Sequence, residues 1–212
     1  MIKMDKDIFS LKNKIVLITG ASGLLGFKHA EAVALFGGVP ILLDLDKNLL
    51  LEQVKVLNKE YETGALSYVL DITNEMEIKK NCKDILKRFG KIDALVNNAA
   101  NNPKFDVEND KEYSRLENFP IKNWDADISV GLTGAFLCTK YYGNAISNNK
   151  EGGVILNISS DLGIIAPDQR LYQKAGLPKN KQPSIEKMME KLTTMREKEL
   201  KEDQAKRTKL HA

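Results

Sequence analysis

A glycine-rich stretch near the amino terminus has the spacing of a phosphate-binding turn. Its glycines are Gly20, Gly23 and Gly26. In such a turn the first glycine permits the tight bend, the second lets the backbone approach phosphate, and the third lets a helix pack close to a strand. A helix that begins there points its free amide groups at the anion. The spacing alone is weak evidence, because glycines also serve in ordinary turns.

An acidic residue at the end of the next predicted strand adds to this pattern. Asp44 occupies the position at which a carboxylate accepts hydrogen bonds from an adenosine ribose. A carboxylate there also repels a 2'-phosphate. The sequence therefore predicts a site for NAD in preference to NADP. The alternative interpretation is that Asp44 is only a solvated strand end.

Alternating strands and helices must position these residues. The predicted strands are short apolar runs, and the helices between them carry apolar residues three and four positions apart. Since each right-handed crossover covers one face of the sheet, the repeats predict an α/β fold. Its form is a doubly wound, Rossmann-like parallel sheet in three α/β/α layers. The predicted strands are 14–19, 40–45, 66–70, 92–96 and 154–159, and helices are predicted from Gly26, after Asp46, after a Thr73 cap, and over 124–144.

The carboxyl-terminal part of the chain has a different character. Residues 184–212 contain no aromatic residue and no strand-like apolar run, and they predict a single charged amphipathic helix. We therefore predict a dinucleotide-binding domain over 1–183 and a helical tail over 184–212. The stretch 101–121 is rich in Asn, Asp and Lys and is predicted to be a surface loop. The apolar stripe of the tail consists of Ile185, Met188, Met189, Leu192 and Met195.

Composition excludes several classes of protein. The chain is 42% hydrophobic and 29% charged, and no apolar run reaches the ~18 residues that cross a bilayer. The net charge of +3 is not gathered into a basic stripe, which argues against nucleic-acid binding. Cys82 and Cys138 lack metal-ligand spacing, so we predict no metal site and two reduced core thiols. Without a secretory signal, the predicted location is the cytoplasm.

Further motifs, in order along the chain, resemble those of the short-chain dehydrogenase/reductase family. The resemblance covers residues 11–163 and implies hydride transfer between a nicotinamide and a small-molecule carbonyl or alcohol. The segments 101–121 and 162–178 are similar to those of relatives that act on sugar-derived substrates. The motifs are TGASGLLG (19–26), DI (71–72), NNAA (97–100), LTG (132–134) and NISS (157–160). The implied cofactor-binding residues are Thr19, Gly20, Ser22, Gly23, Leu25, Gly26, Asp44, Asp71, Ile72, Asn97, Asn98 and Ala99.

The catalytic half of the resemblance is incomplete. The family holds the substrate oxygen with a serine, here Ser160, and donates the proton from a tyrosine that has a lysine four residues later. No tyrosine of this chain has a lysine at that distance. Tyr172 is the nearest candidate, but Lys174 follows it by two residues, and Gly176 argues against a helix there. A second departure is Gly131, which stands where the family often carries a helical asparagine.

Two functional hypotheses follow from these motifs. The first is an NAD-dependent oxidoreductase that is catalytically impaired and lacks the family's last strands. The alternative is a non-catalytic NAD-binding or sensing module that docks a partner through its carboxyl-terminal helix. The resemblance allows a homo-oligomer, although the family's usual catalytic helix is missing. A third interpretation is an unstable fragment, which a cooperative melt would exclude.

Overall fold

A five-stranded parallel sheet organises the structure, which is a computed structural model that describes residues 6–101, 119–160, 163, 164 and 176. A short 3-10 turn (Lys6–Phe9) precedes the first strand. The strands are β1 (Ile15–Thr19), β2 (Val39–Asp44), β3 (Leu66–Val69), β4 (Ala94–Asn97) and β5 (Val154–Asn157). The helices are α1 (Leu24–Leu35), α2 (Lys47–Tyr61), α3 (Glu75–Phe89), α4 (Ile121–Ile128), α5 (Ala135–Cys138) and α6 (Asn144–Ser147). Two π-helical segments, Ser129–Gly134 and Thr139–Gly143, join α4 to α5 and α5 to α6.

The strand order is β3-β2-β1-β4-β5, and every neighbouring pair is parallel. The chain adds strands on one side of β1 and then returns to add strands on the other side. A crevice therefore opens where β1 and β4 end, because the connections that follow these two strands lead away in opposite directions. This is the place at which doubly wound sheets bind their ligands.

Two apolar cores lie on the two faces of this sheet. One contains Leu17 and Leu43 and is completed by α3, α5 and α6. The other contains Ile18 and Leu42 and is completed by α1 and α2. Because both faces are covered, all five residues of β1 are buried, which explains the continuous apolar run of its sequence.

The predicted fold class is confirmed, and strand boundaries differ from the prediction by a few residues. One local prediction was wrong, since Thr73 does not cap α3. The cap is Asn74, whose side chain accepts from the amides of Met76 and Glu77. The Thr73 hydroxyl instead donates to Asp71 Oδ1 at 2.7 Å, so it is engaged in a turn before the helix. Asn is as good an N-cap as Thr, and the turn decides between them.

The described residues divide into two units. The first consists of residues 6–101 and 125–159 and contains the whole sheet. The second consists of the described residues 119–124, 160, 163, 164 and 176. The predicted loop lies mostly outside the described residues, and the predicted tail over 184–212 lies entirely outside them. The boundary at residue 183 stays a prediction.

Both cysteines lie in the first unit as buried, free thiols. Burial raises the pKa of Cys138 to about 12, and it also raises the pKa of Cys82. Neither thiol is therefore ionised near neutral pH, and both pack as apolar groups against the sheet.

Asp93 lies at the opposite end of the strands, where β1 and β4 begin, and it holds these two strand starts together. Its carboxylate accepts from the Ile15 amide at 2.8 Å and lies 2.9 Å from the Lys91 ammonium. Burial disfavours the charged carboxylate, but the Ile15 amide and Lys91 outweigh it, so the pKa of Asp93 lies below its usual value. The ionised form is therefore the one that the fold stabilises.

We expect Asp93→Asn to lower the free energy of unfolding by about 1–3 kcal/mol at neutral pH, because a charge-assisted hydrogen bond is lost. Since the native pKa is depressed, this stabilisation is complete above about pH 4 and declines as the pH falls through the native pKa. Urea unfolding at neutral and acidic pH measures the difference. Glu52→Gln, a change at an exposed residue, is the control. An Asp93→Asn chain as stable as its parent at neutral pH would contradict this account.

Candidate functional site

The glycine turn connects β1 to α1 at the crevice. Gly20 has a φ of +62°, and a Cβ there would lie 2.7 Å from the Cα of Ala99. A Cβ on Gly26 would lie 2.7 Å from the Cα of Ala21. Both positions therefore exclude any other residue, Gly20 through its conformation and both through close backbone contact. Gly23 is the N-cap of α1, so this helix begins two residues earlier than predicted.

The Thr19 hydroxyl joins the ends of β1 and β4 above this turn. It donates to the Val96 carbonyl at 3.4 Å and accepts from the amides of Asn98 and Ala99 at 3.0 and 3.1 Å. A hydroxyl offers one donor and two acceptor positions, so the bonding capacity of this group is filled. The Asn98 side chain completes the connection by donating to the carbonyls of Thr19 and Gly20 at 3.0 and 3.2 Å.

Asp44 ends β2 and contacts the glycine turn directly. Its Oδ2 accepts from the Ser22 amide at 2.9 Å, and its Oδ1 accepts from the amides of Leu45 and Asp46 at 2.7 and 3.3 Å. A carboxylate has about four acceptor positions, so one position on Oδ2 is left over by these three amides. The carboxylate is thus held in one orientation while it keeps the capacity to accept another hydrogen bond.

Gln53 is a residue of this site that the sequence did not reveal. It lies on α2, and its Nε2 donates to the Ser22 carbonyl at 3.1 Å. Within the described part of the chain, the Gln53 Oε1 and the Ser22 Oγ are buried without a hydrogen-bond partner. Polar atoms that lack partners thus gather at the turn. No sequence signal singles out Gln53, because its role depends on the packing of α2 beside the turn.

A cleft of about 180 Å³ opens between the ends of β1, β2 and β3. Two carboxylates, Asp44 and Asp71, lie on its wall. Pockets that enclose a whole drug-sized ligand measure roughly 300–1,000 Å³, so this cleft suits one end of a longer molecule. Five of the sequence-predicted residues line it, namely Gly20, Asp44, Asp71, Ile72 and Ala99.

Asp71 and Ile72 form the far wall of the cleft, and Gly134 packs closely against the Ile72 side chain. Asp71 Oδ1 accepts from the Thr73 amide at 2.8 Å, which orients the carboxylate. Ile72 is buried, and a Cβ on Gly134 would lie 2.6 Å from its Cδ1. A side chain at position 134 would therefore have to displace the end of the Ile72 side chain, which gives the glycine of the LTG motif a packing role.

Asn97 supports the crevice from below. Its Nδ2 donates to Asn157 Oδ1 at 2.8 Å and to Thr139 Oγ1 at 3.2 Å. The side chain thereby ties β4 to β5 and to the π-helical segment that contains Thr139. Its Oδ1 is buried without a partner among the described residues. Thr139 was absent from the sequence prediction, since only the folded chain brings it to the end of β4.

Three predicted residues have other surroundings or lie outside the described part of the chain. Leu25 lies on the first turn of α1 with 58% of its surface exposed. Ser160 follows β5, is exposed, and belongs to the second unit, where its carbonyl accepts from the Gly163 amide at 3.1 Å. Tyr172 lies outside the described residues.

Three described tyrosines have pKa values moved away from neutrality. Burial raises the pKa of Tyr68 to about 12 and also raises that of Tyr142. The hydrogen bond to the Glu75 carboxylate raises the pKa of Tyr141. A catalytic tyrosine needs the opposite shift, toward neutral pH. These three phenols are therefore unsuited to proton transfer at neutral pH.

Metal sites and membrane spans are both absent from the described ranges. There, no group of three or more His, Cys, Asp or Glu side chains is arranged to hold a metal ion. No helix in the same ranges has both the length and the apolar character that a membrane span requires.

The chain is similar in sequence to known oxidoreductases. Residues 14–173 match the family model described as short chain dehydrogenase. The chain is 32% identical over 164 residues to a probable NADP-dependent mannitol dehydrogenase of Yarrowia lipolytica. This match covers 74% of this chain and 55% of that protein. It is 29% identical over 168 residues to an NAD-dependent glycerol dehydrogenase of Listeria innocua, with 79% of this chain and 60% of that protein covered.

A solved structure gives the same result. The crystal structure of NAD+-bound xylitol dehydrogenase superposes with a TM-score of 0.65 at 26% identity, covering 74% of this chain and 56% of that one. The chain thus spans between half and two thirds of the length of the relatives named here. The match of the family model, together with the glycine turn and strand order, shows that the chain belongs to the short-chain dehydrogenase/reductase family of Rossmann-fold oxidoreductases.

Proposed function

We propose that this chain binds NAD(H) at the glycine turn and serves hydride transfer between nicotinamide and a small carbonyl or alcohol. The observation that carries the proposal is the Asp44 carboxylate, which is held by the Ser22 amide at 2.9 Å on the wall of the cleft. A fixed carboxylate with acceptor capacity suits the hydroxyls of an adenosine ribose. It disfavours a 2'-phosphate by charge repulsion. NAD is therefore the proposed cofactor rather than NADP.

The residues at the turn fit a dinucleotide. Gly20 lets the turn pack directly against the Ala99 backbone, and the amino end of α1 offers amides to a pyrophosphate. Asp44 and Asp71 would hold the adenosine end, while Asn98 and Thr19 keep the turn in place. When bound, the nicotinamide supplies or accepts the hydride. Ser160 is the residue proposed to hold the substrate oxygen.

The proposed substrate is a polyhydroxylated small molecule. The relatives above are named for mannitol, glycerol and xylitol, which are all polyols. Since this chain spans only part of their length, the substrate is proposed at the level of this class.

We further propose that turnover by these 212 residues is weak. No tyrosine here has a lysine four residues later, and three described tyrosines have raised pKa values. Loss of a general acid lowers the rate of an enzyme by about 10²- to 10⁴-fold. We therefore expect the chain to bind the cofactor, although its described tyrosines with raised pKa values do not supply an efficient proton donor.

Asp44→Asn tests the proposed cofactor site. We expect the parent chain to bind NADH more tightly than NADPH, and the variant to bind NADH about tenfold more weakly, because a hydrogen bond to a charged acceptor is worth about 1.5–3 kcal/mol. Affinity for NADPH should not fall. Fluorescence titration of the two nucleotides measures both constants.

Asp46→Asn is the matched control for this experiment. It removes the same charge two residues later, and Asn still caps α2 in place of the Asp46 carboxylate that accepts from Asn48 and Leu49. NADH affinity should therefore stay near that of the parent. Equal losses in the two variants, or equal affinity of the parent for NADH and NADPH, would refute the role of Asp44.

The turnover proposal has its own test. We expect NADH oxidation with ketoses, and NAD reduction with polyols, to be slow. The rate should be about 1% or less of that of an enzyme of this kind whose general acid is intact. Any residual rate should fall in Ser160→Ala and remain in Ser159→Ala, because only Ser160 is proposed to contact the substrate. Rapid turnover by the parent chain would overturn the proposed impairment, whereas nucleotide binding would still be judged by the Asp44 experiment.

A further inference from the structure

A second concavity, the β3–α3 groove, lies between the edge strand and α3. It encloses about 540 Å³, three times the volume of the cleft at the glycine turn. Its lining is formed by Tyr68, Val69 and Leu70 at the end of β3 and by Glu77, Lys80, Asn81, Lys83, Asp84 and Lys87 of α3. The strand thus contributes a mostly apolar side, and the helix contributes a charged side with three lysines and two acids. Leu70 also lines the cleft at the glycine turn, but none of the residues proposed to bind the nucleotide lines this groove.

One edge of β3 has no partner in the described part of the chain. β3 is the last strand in the sheet and pairs with β2 alone. Its outer edge therefore offers backbone amides and carbonyls that can pair with another extended chain. Edge strands are commonly protected by lysine or proline on the strand itself, but β3 reads LSYV and carries neither. Val69 is 55% exposed beside this edge.

The charges around the groove favour an acidic occupant. Asp84 accepts from the Tyr68 hydroxyl at 2.8 Å, and Glu77 accepts from the Asp71 amide at 3.1 Å. Both acids are thus engaged within the fold. The three lysines of the lining have no ion-pair partner among the described residues. The lining therefore carries three lysines against two acids, a net charge of +1, and both acids already accept a hydrogen bond within the fold while the lysines have no ion-pair partner among the described residues.

The dimensions of the groove suit a short extended segment. The four residues of β3 span ~13 Å at about 3.3 Å per residue. Along α3, the stretch from Lys80 to Lys87 rises ~10 Å at about 1.5 Å per residue. An extended segment of four or five residues thus matches both walls. Successive side chains of a strand point in opposite directions. In a segment that alternates apolar and acidic residues, the apolar ones can therefore face the apolar side of the groove while the acidic ones face the lysines.

We propose that the β3–α3 groove binds an acidic, extended polypeptide segment, which adds to the sheet as a strand beside β3. Main-chain hydrogen bonds to β3 supply the orientation, as in other cases of strand addition. The apolar side accepts the β-branched side chains of the segment, and Lys80, Lys83 and Lys87 attract its carboxylates. The partner class is therefore a protein with an exposed acidic strand or tail.

A fluorescein-labelled peptide that alternates valine and glutamate over three repeats is the probe. We expect its anisotropy to rise on titration with the full chain, and its affinity to fall as salt is added, because exposed charges are screened. A peptide with a central proline should bind at least about fivefold more weakly, since proline cannot donate to a β-ladder. Amide exchange at residues 66–70 should slow when the alternating peptide is bound.

Charge variants separate the groove from the rest of the surface. Replacing Lys80, Lys83 and Lys87 together by glutamine should weaken peptide binding about tenfold, as three exposed ion pairs are lost. These lysines lie on the helix surface, and circular dichroism verifies that the variant stays folded. NADH affinity should remain unchanged.

The matched control replaces Lys55, Lys59 and Lys150, which are exposed elsewhere, by glutamine. This control should bind the peptide as the parent does. The proposal is overturned if the alternating peptide fails to bind, if both triple variants bind it equally, or if the proline peptide binds as well as the alternating one. Displacement by free glutamate at concentrations similar to the peptide would overturn it as well, because it would identify a site for small anions.

Discussion

The Thr19 hydroxyl holds together the two strands on which the site depends. It bonds β1 to the end of β4 through one carbonyl and two amides, and the Asn98 side chain returns to the carbonyls of Thr19 and Gly20. These groups lie at the ends of β1 and β4, the two strands between which the order of the strands reverses. Removing the hydroxyl would leave two amides without an acceptor beside Gly20. The conformation of the glycine turn is therefore tied to the sheet rather than to local sequence alone.

The same connection explains how distant carboxylates come to one cleft. β2 pairs with β1 from Ile15↔Val39 to Thr19↔Leu43, so Asp44 emerges directly beside the turn. β3 pairs with β2 up to Asp44↔Val69, which brings Asp71 to the same edge. At the other end, Asp93 secures the Ile15 amide and fixes the start of the register. Parallel pairing thus converts sequence order into adjacent positions along one rim.

Much of the fold and part of the candidate site could be predicted from sequence. Buried strands are visible as apolar runs, and the glycine turn is visible because its spacing stands between a predicted strand and a predicted helix, with Asp44 at the end of the next strand. Gln53 and Thr139 were missed, since each acts through contacts formed only when a helix packs beside a strand end. The Thr73 cap was wrong because two good caps are adjacent and Asp71 engages Thr73. The roles proposed for Ser160 and Tyr172 stay predictions.

Titration of NADH into Thr19→Val and Thr19→Ser tests the central claim most directly. Serine keeps the hydroxyl, so its chain should bind NADH nearly as tightly as the parent. Valine has a similar shape but leaves the amides of Asn98 and Ala99 without this acceptor, and we predict that affinity falls at least about tenfold, given a penalty of about 1–3 kcal/mol for an unsatisfied buried group. Circular dichroism establishes that both chains are folded. A folded Thr19→Val chain that binds NADH as tightly as the parent would contradict the claim.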